Sequence, residues 1–83
     1  MATYGLLGGT FDPIHLGHLV LAETARETFH LEKVVFVPAG NPPHKPGLVM
    51  TPSRARLRMV EIAIADNPYF TVSTVEVDRP GPS

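Results

Sequence analysis

Short apolar segments alternate with helix-like segments along this chain, and this order constrains the fold more than any other feature of the sequence. Residues 4–7 form an apolar run that ends in two glycines, and residues 33–37 form a second run that stops at Pro38. A continuous apolar run of the second kind is typical of a parallel strand covered on both faces. Residues 70–77 alternate well enough to predict a third strand.

Two helices are predicted between these strands. The first begins at residues 15–17 and runs to about Phe29, and the second has Thr51 as its N-cap and Pro52 at its first position. An Asp-Asn-Pro run at residues 66–68 ends the second helix. Alternating strands and helices favour right-handed crossovers and a parallel sheet. We therefore predict an α/β fold, a Rossmann-like parallel sheet with helices on both faces, of which residues 1–83 form the first β-α-β-α-β half.

The charge and cysteine content exclude several classes of function. The formal net charge is -1, so no general basic field attracts nucleic acid or an anionic membrane. The chain contains no cysteine, which excludes thiol catalysis and a disulfide scaffold and is compatible with a reducing cytosol. No signal peptide is visible at the start, and the apolar runs are too short to cross a bilayer. We expect a cytoplasmic protein without nucleic-acid or membrane partners.

The segment from Gly8 to His18 contains the densest chemistry of the chain. It reads Gly-Gly-Thr-Phe-Asp-Pro-Ile-His-Leu-Gly-His and follows the first predicted strand, at the edge where open α/β sheets bind ligands. Gly8 and Gly9 let the backbone approach a phosphate, and the following helix presents unpaired N–H groups to it. His15 and His18 are three residues apart and project on one side of that helix, while Thr10 adds a hydroxyl.

Simpler explanations exist for each part of this segment. A glycine pair after a strand can be only a turn, and its spacing matches neither a Rossmann fingerprint nor a P-loop. The two histidines could bind a metal, but no third ligand follows at metal-site spacing, so no protein metal site is predicted. His18 also begins an apolar stripe with Ala22, Ala25 and Phe29, so packing in the core is its alternative role.

The neighbouring residues leave further alternatives open. Phe11 either packs beside a nucleotide or closes the turn, and Asp12 either caps the helix or orients the preceding threonine, with capping favoured. Arg54 and Arg58 share one face of the second predicted helix, whereas Arg56 lies roughly opposite. The three arginines therefore do not form one phosphate clamp, and we expect them to be solvated.

The glycine and histidine segment resembles the signature of the HIGH-type nucleotidyltransferase superfamily, with His15-Leu16-Gly17-His18 as the defining tetrapeptide. Its full form is similar in particular to bacterial nicotinate mononucleotide adenylyltransferases. Phosphopantetheine adenylyltransferases have a similar segment, usually with Thr in place of His15. Pro42-Pro43-His44-Lys45 resembles the basic loop of the first family, and residues 78–83 resemble its segment after the third strand.

This resemblance implies adenylyl transfer from ATP to nicotinate mononucleotide, which gives nicotinate adenine dinucleotide and pyrophosphate in NAD biosynthesis. The attacking phosphomonoester has a second pKa of about 6 and is already largely dianionic, so positioning and electrostatics dominate over base catalysis. Mg²⁺ is expected to be held mainly by the ATP phosphates. The resemblance implies His18, His15 and Lys45 as catalytic residues, and it implies contacts to ATP or substrate from Gly8, Gly9, Thr10, Phe11, His15, His18 and Lys45.

The resembled enzymes continue well past this length, with a second half that contacts ATP and the nicotinate ring. We expect the 83-residue chain alone to have little activity, and to self-associate through an exposed apolar sheet edge or to need its other half. Two alternatives remain open. One is another nucleotidyltransferase, of the phosphopantetheine or cytidylyl kind, and the other is a non-catalytic nucleotide-binding module.

Overall fold

The fold is a partial Rossmann-like α/β sheet, as predicted. The computed structural model describes residues 3–40 and 51–79. Within these residues, three parallel strands form one sheet in which strands that follow each other along the chain are neighbours, and a helix follows each of the first two. No helix within the described ranges is both long enough and apolar enough to cross a membrane. The elements are β1 Tyr4–Gly9, α1 Leu16–Phe29, β2 Lys33–Pro38, α2 Ser53–Ile64 and β3 Phe70–Val72.

The core forms on one face of the sheet. Alternate residues of β2 are buried, and Val34 and Phe36 pack in one cluster with Ala22 of α1 and with Val60 and Ile64 of α2. Both helices therefore cover the same face, as two successive right-handed crossovers along this strand order require. The alternating burial of β2 thus marks the face of the sheet that the two helices cover.

The opposite face of β1 remains open within the described residues. Tyr4 is 56% exposed and Leu6 is 76% exposed, while the alternate residues of the strand face the helices. β1 is also the edge strand of the three-stranded sheet. The predicted apolar edge is therefore present in this part of the chain.

The third strand is shorter than predicted, because it ends at Val72 rather than at residue 77. The last ladder bond runs from the Ser73 N–H to the Phe36 carbonyl, at 2.8 Å. The next donor on that side of β2 would be Pro38, which has no N–H. The chain therefore leaves the sheet and forms a turn over residues 74–78, closed by a backbone hydrogen bond of 2.8 Å.

Two details of the helices also differ from the prediction. The N-cap of α2 is Pro52, with no side-chain hydrogen bond, so the predicted Thr51 cap is wrong. Thr51 instead contacts the turn after β1, as described below. In the predicted stripe of α1, Ala22 is buried, but Phe29 is 68% exposed at the last helical residue, where the chain turns away at His30 with a left-handed backbone.

Candidate functional site

The carboxyl ends of β1 and β2 lie side by side and define the candidate site. Gly9 pairs in register with Pro38, and the Ala39 N–H donates to the Gly9 carbonyl at 2.8 Å. Both helices begin at this edge, because each follows the end of a parallel strand. The segment predicted to contain the chemistry therefore lies where open α/β sheets bind their ligands.

Phe11 closes the turn that follows β1. Its side chain is buried, with 3% of the residue exposed, and its ring centroid lies 5.0 Å from that of His18 and 5.8 Å from that of Phe36. Its backbone has a φ of 51°, which is uncommon for a residue other than glycine and is maintained here by burial of the ring. The sequence left two roles open for Phe11, packing beside a nucleotide or closing the turn. The buried side chain closes the turn, because it is not exposed to stack on a nucleotide.

His15 and His18 cap the start of α1 reciprocally. The His15 Nδ1 accepts the Gly17 N–H at 3.1 Å, and the His18 Nδ1 accepts the His15 N–H at 3.0 Å. This is a capping box built from two imidazoles, whose ring centroids lie 4.0 Å apart. The prediction that both rings project together is confirmed. The prediction of unpaired N–H groups at this helix start is wrong at Gly17, because the His15 ring occupies its N–H.

The capping bonds fix the tautomer of both rings. A ring nitrogen that accepts an N–H is unprotonated, so each neutral imidazole has its proton on Nε2. Burial, together with the neighbouring His15, lowers the pKa of His18 below its ordinary value and favours the neutral form. Within the described residues no hydrogen bond engages either Nε2. Two N–H donors therefore stand close together at the edge of the sheet.

Gly17 makes room for this arrangement. A Cβ built on Gly17 would lie 2.8 Å from Cε1 and 3.0 Å from Nδ1 of His15. Any side chain there would push the His15 ring away from the helix start and break the cap. The glycine of the tetrapeptide is thus explained by the ring that folds over it.

Asp12 connects the turn to the start of α2 and does not cap α1. Its carboxylate accepts the Thr51 N–H at 3.2 Å, across 39 residues of sequence. The Thr51 hydroxyl, then the Thr51 amide, and to a smaller extent the charge of Arg56, lower the pKa of Asp12. The predicted capping role is wrong because His15 occupies that position.

Arg56 is buried, with 1% of the residue exposed, so the expectation of a solvated side chain is wrong. Its Nε donates to the Thr51 carbonyl at 2.9 Å, and its Nη1 donates to the carbonyls of Thr10 at 2.8 Å and Ala39 at 3.0 Å. Its Nη2 donates to the Gly40 carbonyl. The planar guanidinium, with five donors in a fixed fork, can serve several carbonyls at once.

The helical period contained a signal for this burial. Arg56 lies four residues before Val60, which is fully buried, so the two share one face of α2. Arg54 and Arg58 lie on the other side, with side chains that are 67% and 71% exposed, and they pair with Asp78 and Glu61. The expectation of solvated arginines is therefore confirmed for these two residues.

The structure describes only some of the remaining predicted site residues. The segment Pro42-Pro43-His44-Lys45 lies outside the described residues, as do residues 80–83, so Lys45 stays a prediction. Among residues 3–40 and 51–79 no group of three or more His, Cys, Asp or Glu side chains converges on one point. Thr10 is half-buried at the end of β1, and its carbonyl is engaged by Arg56.

Comparison with known proteins agrees with this geometry. The model of the cytidylyltransferase-like family matches residues 6–80 of this chain. The chain belongs to this family. The match includes the segment from Gly8 to His18 and the starts of both helices, so the cytidylyltransferase-like assignment covers the candidate site.

Three curated relatives are named probable nicotinate-nucleotide adenylyltransferase. The protein of Roseiflexus sp. is 55% identical over 82 residues, which cover 99% of this chain and 41% of the relative. That of Thermomicrobium roseum is 52% identical over 82 residues, covering 99% of this chain and 38% of the relative. That of Thermus thermophilus is 54% identical over 79 residues, covering 95% and 41%. This cytidylyltransferase-like chain thus spans about two fifths of the length of the relatives it matches, and the resemblance read from its motifs is confirmed.

Proposed function

We propose that this chain forms the phosphate-binding half of an enzyme that transfers the adenylyl group of ATP to nicotinate mononucleotide. The products are nicotinate adenine dinucleotide and pyrophosphate, in a step of NAD biosynthesis. The observation that supports this proposal most directly is the imidazole pair at the start of α1, in which Nδ1 serves the cap and Nε2 remains a donor. The names of the relatives support the choice of acceptor.

The reaction requires that the two substrates are positioned and that the charge on the reacting phosphates is stabilised. An oxygen of the acceptor phosphate attacks the α-phosphorus of ATP, and the bond from that phosphorus to the bridging oxygen breaks. Pyrophosphate leaves with the electron pair. No proton has to be removed, because a phosphomonoester with a second pKa of about 6 is largely dianionic at neutral pH. The Nε2–H groups of His15 and His18 would donate to the ATP phosphates, and each such donor can lower the barrier by about 2–4 kcal/mol.

The other proposed contacts come from the end of β1 and from the segment after β2. Gly8, Gly9 and Thr10 would approach the nucleotide through backbone and hydroxyl groups. Phe11 would contribute only through its backbone, because its ring is buried. Lys45 would reach the phosphates as a point charge.

Magnesium fits this site as part of the substrate. The described residues contain no converging set of three metal ligands. Mg²⁺ is usually held by one or two carboxylates together with phosphates and water, so a nucleotide can bring the ion with it. We therefore propose Mg·ATP as the bound species, with the protein donors directed to the phosphate oxygens.

We also propose that residues 1–83 are the first half of a single nucleotidyltransferase domain that acts in the cytoplasm. In the whole domain β1 would be a central strand, with a neighbouring strand along the edge that is open here and with cover over the face on which Tyr4 and Leu6 are exposed. The isolated chain would then self-associate through that edge, without nucleic acid or a membrane as partner. Sedimentation velocity at increasing concentration tests this proposal, because a chain that stays monomeric throughout would contradict it.

A chimeric enzyme tests the activity. The matching first part of the Roseiflexus sp. relative is replaced by this chain, and pyrophosphate release from Mg·ATP is measured with three acceptors in competition. These are nicotinate mononucleotide, nicotinamide mononucleotide and phosphopantetheine. We expect turnover with nicotinate mononucleotide, and a fall in kcat/KM of about 10²–10³-fold in His18→Ala.

The other outcomes separate the alternatives. If the parental relative prefers nicotinate mononucleotide under the same conditions and the folded chimera instead prefers phosphopantetheine, or accepts only CTP as donor, this chain causes the difference and belongs to a different nucleotidyltransferase. If the folded chimera binds ATP without turnover, and His18→Ala changes neither property, the chain is a non-catalytic nucleotide-binding module. Either result would contradict the proposed reaction.

A further inference from the structure

Arg56 is a buried cation whose described hydrogen-bond partners are all backbone carbonyls. It is 1% exposed, and its donors reach four carbonyl groups. Burying a full charge is costly unless hydrogen bonds satisfy it. A side chain of this kind within a core helix is therefore explained by what it holds in place.

The four carbonyls come from three separate segments at the candidate site. Thr10 follows β1 and ends the glycine turn, Ala39 and Gly40 follow β2, and Thr51 precedes α2. Gly40 and Thr51 are the two described residues that flank residues 41–50. One guanidinium thus joins the end of β1 to both described ends of the segment that contains Lys45.

We propose that Arg56 is a positioning residue of the nucleotide site, which fixes the Thr10 turn relative to the flanks of residues 41–50. This inference rests on the proposed function, because it assigns the held segments to phosphate binding. Arg56 does not contact the ligand, since its side chain is buried beneath those segments. Its charge also favours a polyanion at the edge of the sheet, because charges interact more strongly away from bulk water.

The neighbouring contacts support one connected anchor. The Thr51 N–H donates to Asp12 at 3.2 Å, and the Ala39 N–H donates to Gly9 at 2.8 Å. These two bonds join the same segments that Arg56 joins through their carbonyls. Loss of the guanidinium should therefore loosen both amides together, and their hydrogen exchange reports on the anchor without any ligand.

The test uses Arg56→Lys in the 83-residue chain, with two control variants. Lysine keeps the charge but lacks the planar fork. Arg58→Lys is the same chemical change at a side chain that is 71% exposed. Ile64→Val removes a buried methylene from the far end of α2, about 12 Å along the helix axis, and controls for lost stability. Amide exchange of Ala39 and Thr51 and the calorimetric affinity for Mg·ATP are measured for each.

We expect Arg56→Lys to speed exchange of both amides at least tenfold relative to other slow amides of the sheet and to weaken Mg·ATP binding by the folded chain at least tenfold. Both controls should stay within about twofold of the unaltered chain in affinity. For comparison, the tenfold loss expected in Arg56→Lys corresponds to 1.4 kcal/mol of binding free energy. Equal effects of Ile64→Val would overturn the inference, because general loss of stability would then explain them. Unchanged exchange and affinity in Arg56→Lys would overturn it as well.

A measurement on the unaltered chain covers the case in which Arg56→Lys does not fold. The Nε–H of Arg56 should exchange with water at least tenfold more slowly than that of Arg58, and its resonance should shift when Mg·ATP is added. Exchange as fast as that of Arg58 would overturn the anchor itself. An intact anchor in a folded chain that does not bind Mg·ATP would overturn the role of Arg56 at a nucleotide site formed by this half, whereas the activity of the chimera tests the proposed function separately.

Discussion

The two helices begin at the same edge of the sheet, but they are held there in opposite ways. The start of α1 is capped by its own side chains, the imidazoles of His15 and His18. The start of α2 has Pro52 as N-cap with no side-chain hydrogen bond, and Arg56 reaches from within the helix to the carbonyls of other segments. One anchor is local and faces outward, whereas the other is long-range and buried.

This difference separates two kinds of contribution to the site. At α1 the same ring serves the fold through Nδ1 and offers Nε2 to a ligand, so stability and binding depend on one side chain. At α2 the described hydrogen bonds of the buried guanidinium all go to backbone carbonyls, so it influences a ligand through the backbone that it holds and through its charge, without contacting the ligand. Substitutions at the two helix starts should therefore differ in how stability and binding change.

The largest expected effect on stability comes from breaking the buried anchor. Arg56→Met leaves four carbonyls without their donor, and we expect a loss of about 3 kcal/mol in the free energy of unfolding. Arg58→Met removes the same charge from an exposed position and should change stability by less than about 0.5 kcal/mol. Urea denaturation of both variants measures the difference, and similar losses would show that the anchor adds nothing beyond the charge.

A smaller effect is expected from breaking the local cap. His15→Ala removes the N-cap acceptor and should destabilise the chain by about 1 kcal/mol. His15→Asn supplies a preferred cap without an imidazole, so it should recover most of that stability and still bind Mg·ATP more weakly than the unaltered chain. Thermal unfolding and calorimetry on the same samples separate the two roles. Recovery of both properties in His15→Asn would contradict a binding role for the ring.

Lowering the pH should weaken the cap at α1. The pKa of His18 is lowered in the folded chain, so below the ordinary value of about 6.5 the unfolded chain takes up a proton that the folded chain resists. This contribution to stability is fully present above pH 6.5 and is lost as the pH falls. Between pH 7 and pH 5 we therefore expect the free energy of unfolding to decrease.

A substitution identifies the group that causes this loss. His18→Ala should flatten the dependence of stability on pH between pH 7 and pH 5. The carboxyl groups of Asp12, Glu23 and Asp78, whose pKa values are also lowered, lose their contributions mainly below about pH 5, outside this window. A slope that persists in His18→Ala would assign the effect to another group.

The smallest net effect on stability is expected at Gly17. Alanine favours a helix by about 1 kcal/mol over glycine, but its Cβ would displace the His15 ring and remove a cap of similar worth. Stability should therefore stay nearly unchanged while the ring moves. Nitrogen NMR of His15 should show the loss of the single Nε2–H tautomer, and an unchanged spectrum would contradict the packing inferred for this glycine.

The sequence predicts the local features of this edge well. The spacing of His15 and His18 places both rings on one side of α1, because partners three residues apart meet within one helical turn. The order of strands and helices along the chain also follows from local patterns, and this alternation permits few sheet topologies. The apolar run of β2 predicted a strand whose bounds were correct within one residue at its end, but only alternate residues of that strand are buried in the described part of the chain, so the predicted cover on both faces is not seen there.

Long-range features could not be predicted in the same way. The partners of Arg56 at Thr10 and Gly40 lie 46 and 16 residues away, and those of Asp12 lie 39 residues away, so no local pattern contains them. A charged residue is usually exposed unless it is paired, which made burial of Arg56 the less expected outcome. The early end of β3 has both a local and a long-range cause. The sequence shows that Pro38 has no N–H, but it does not show the register that places Pro38 opposite the end of β3.

Calorimetric titration of the 83-residue chain with Mg·ATP, with and without the His18→Ala substitution, tests the central claim most directly. The imidazole pair predicts that the unaltered chain binds and that His18→Ala weakens binding more than tenfold, or 1.4 kcal/mol. Circular dichroism checks that both proteins remain folded. A folded chain that fails to bind would contradict a phosphate site preformed in this half, and a chain that binds equally well without the His18 ring would contradict a phosphate site built on the cap of α1.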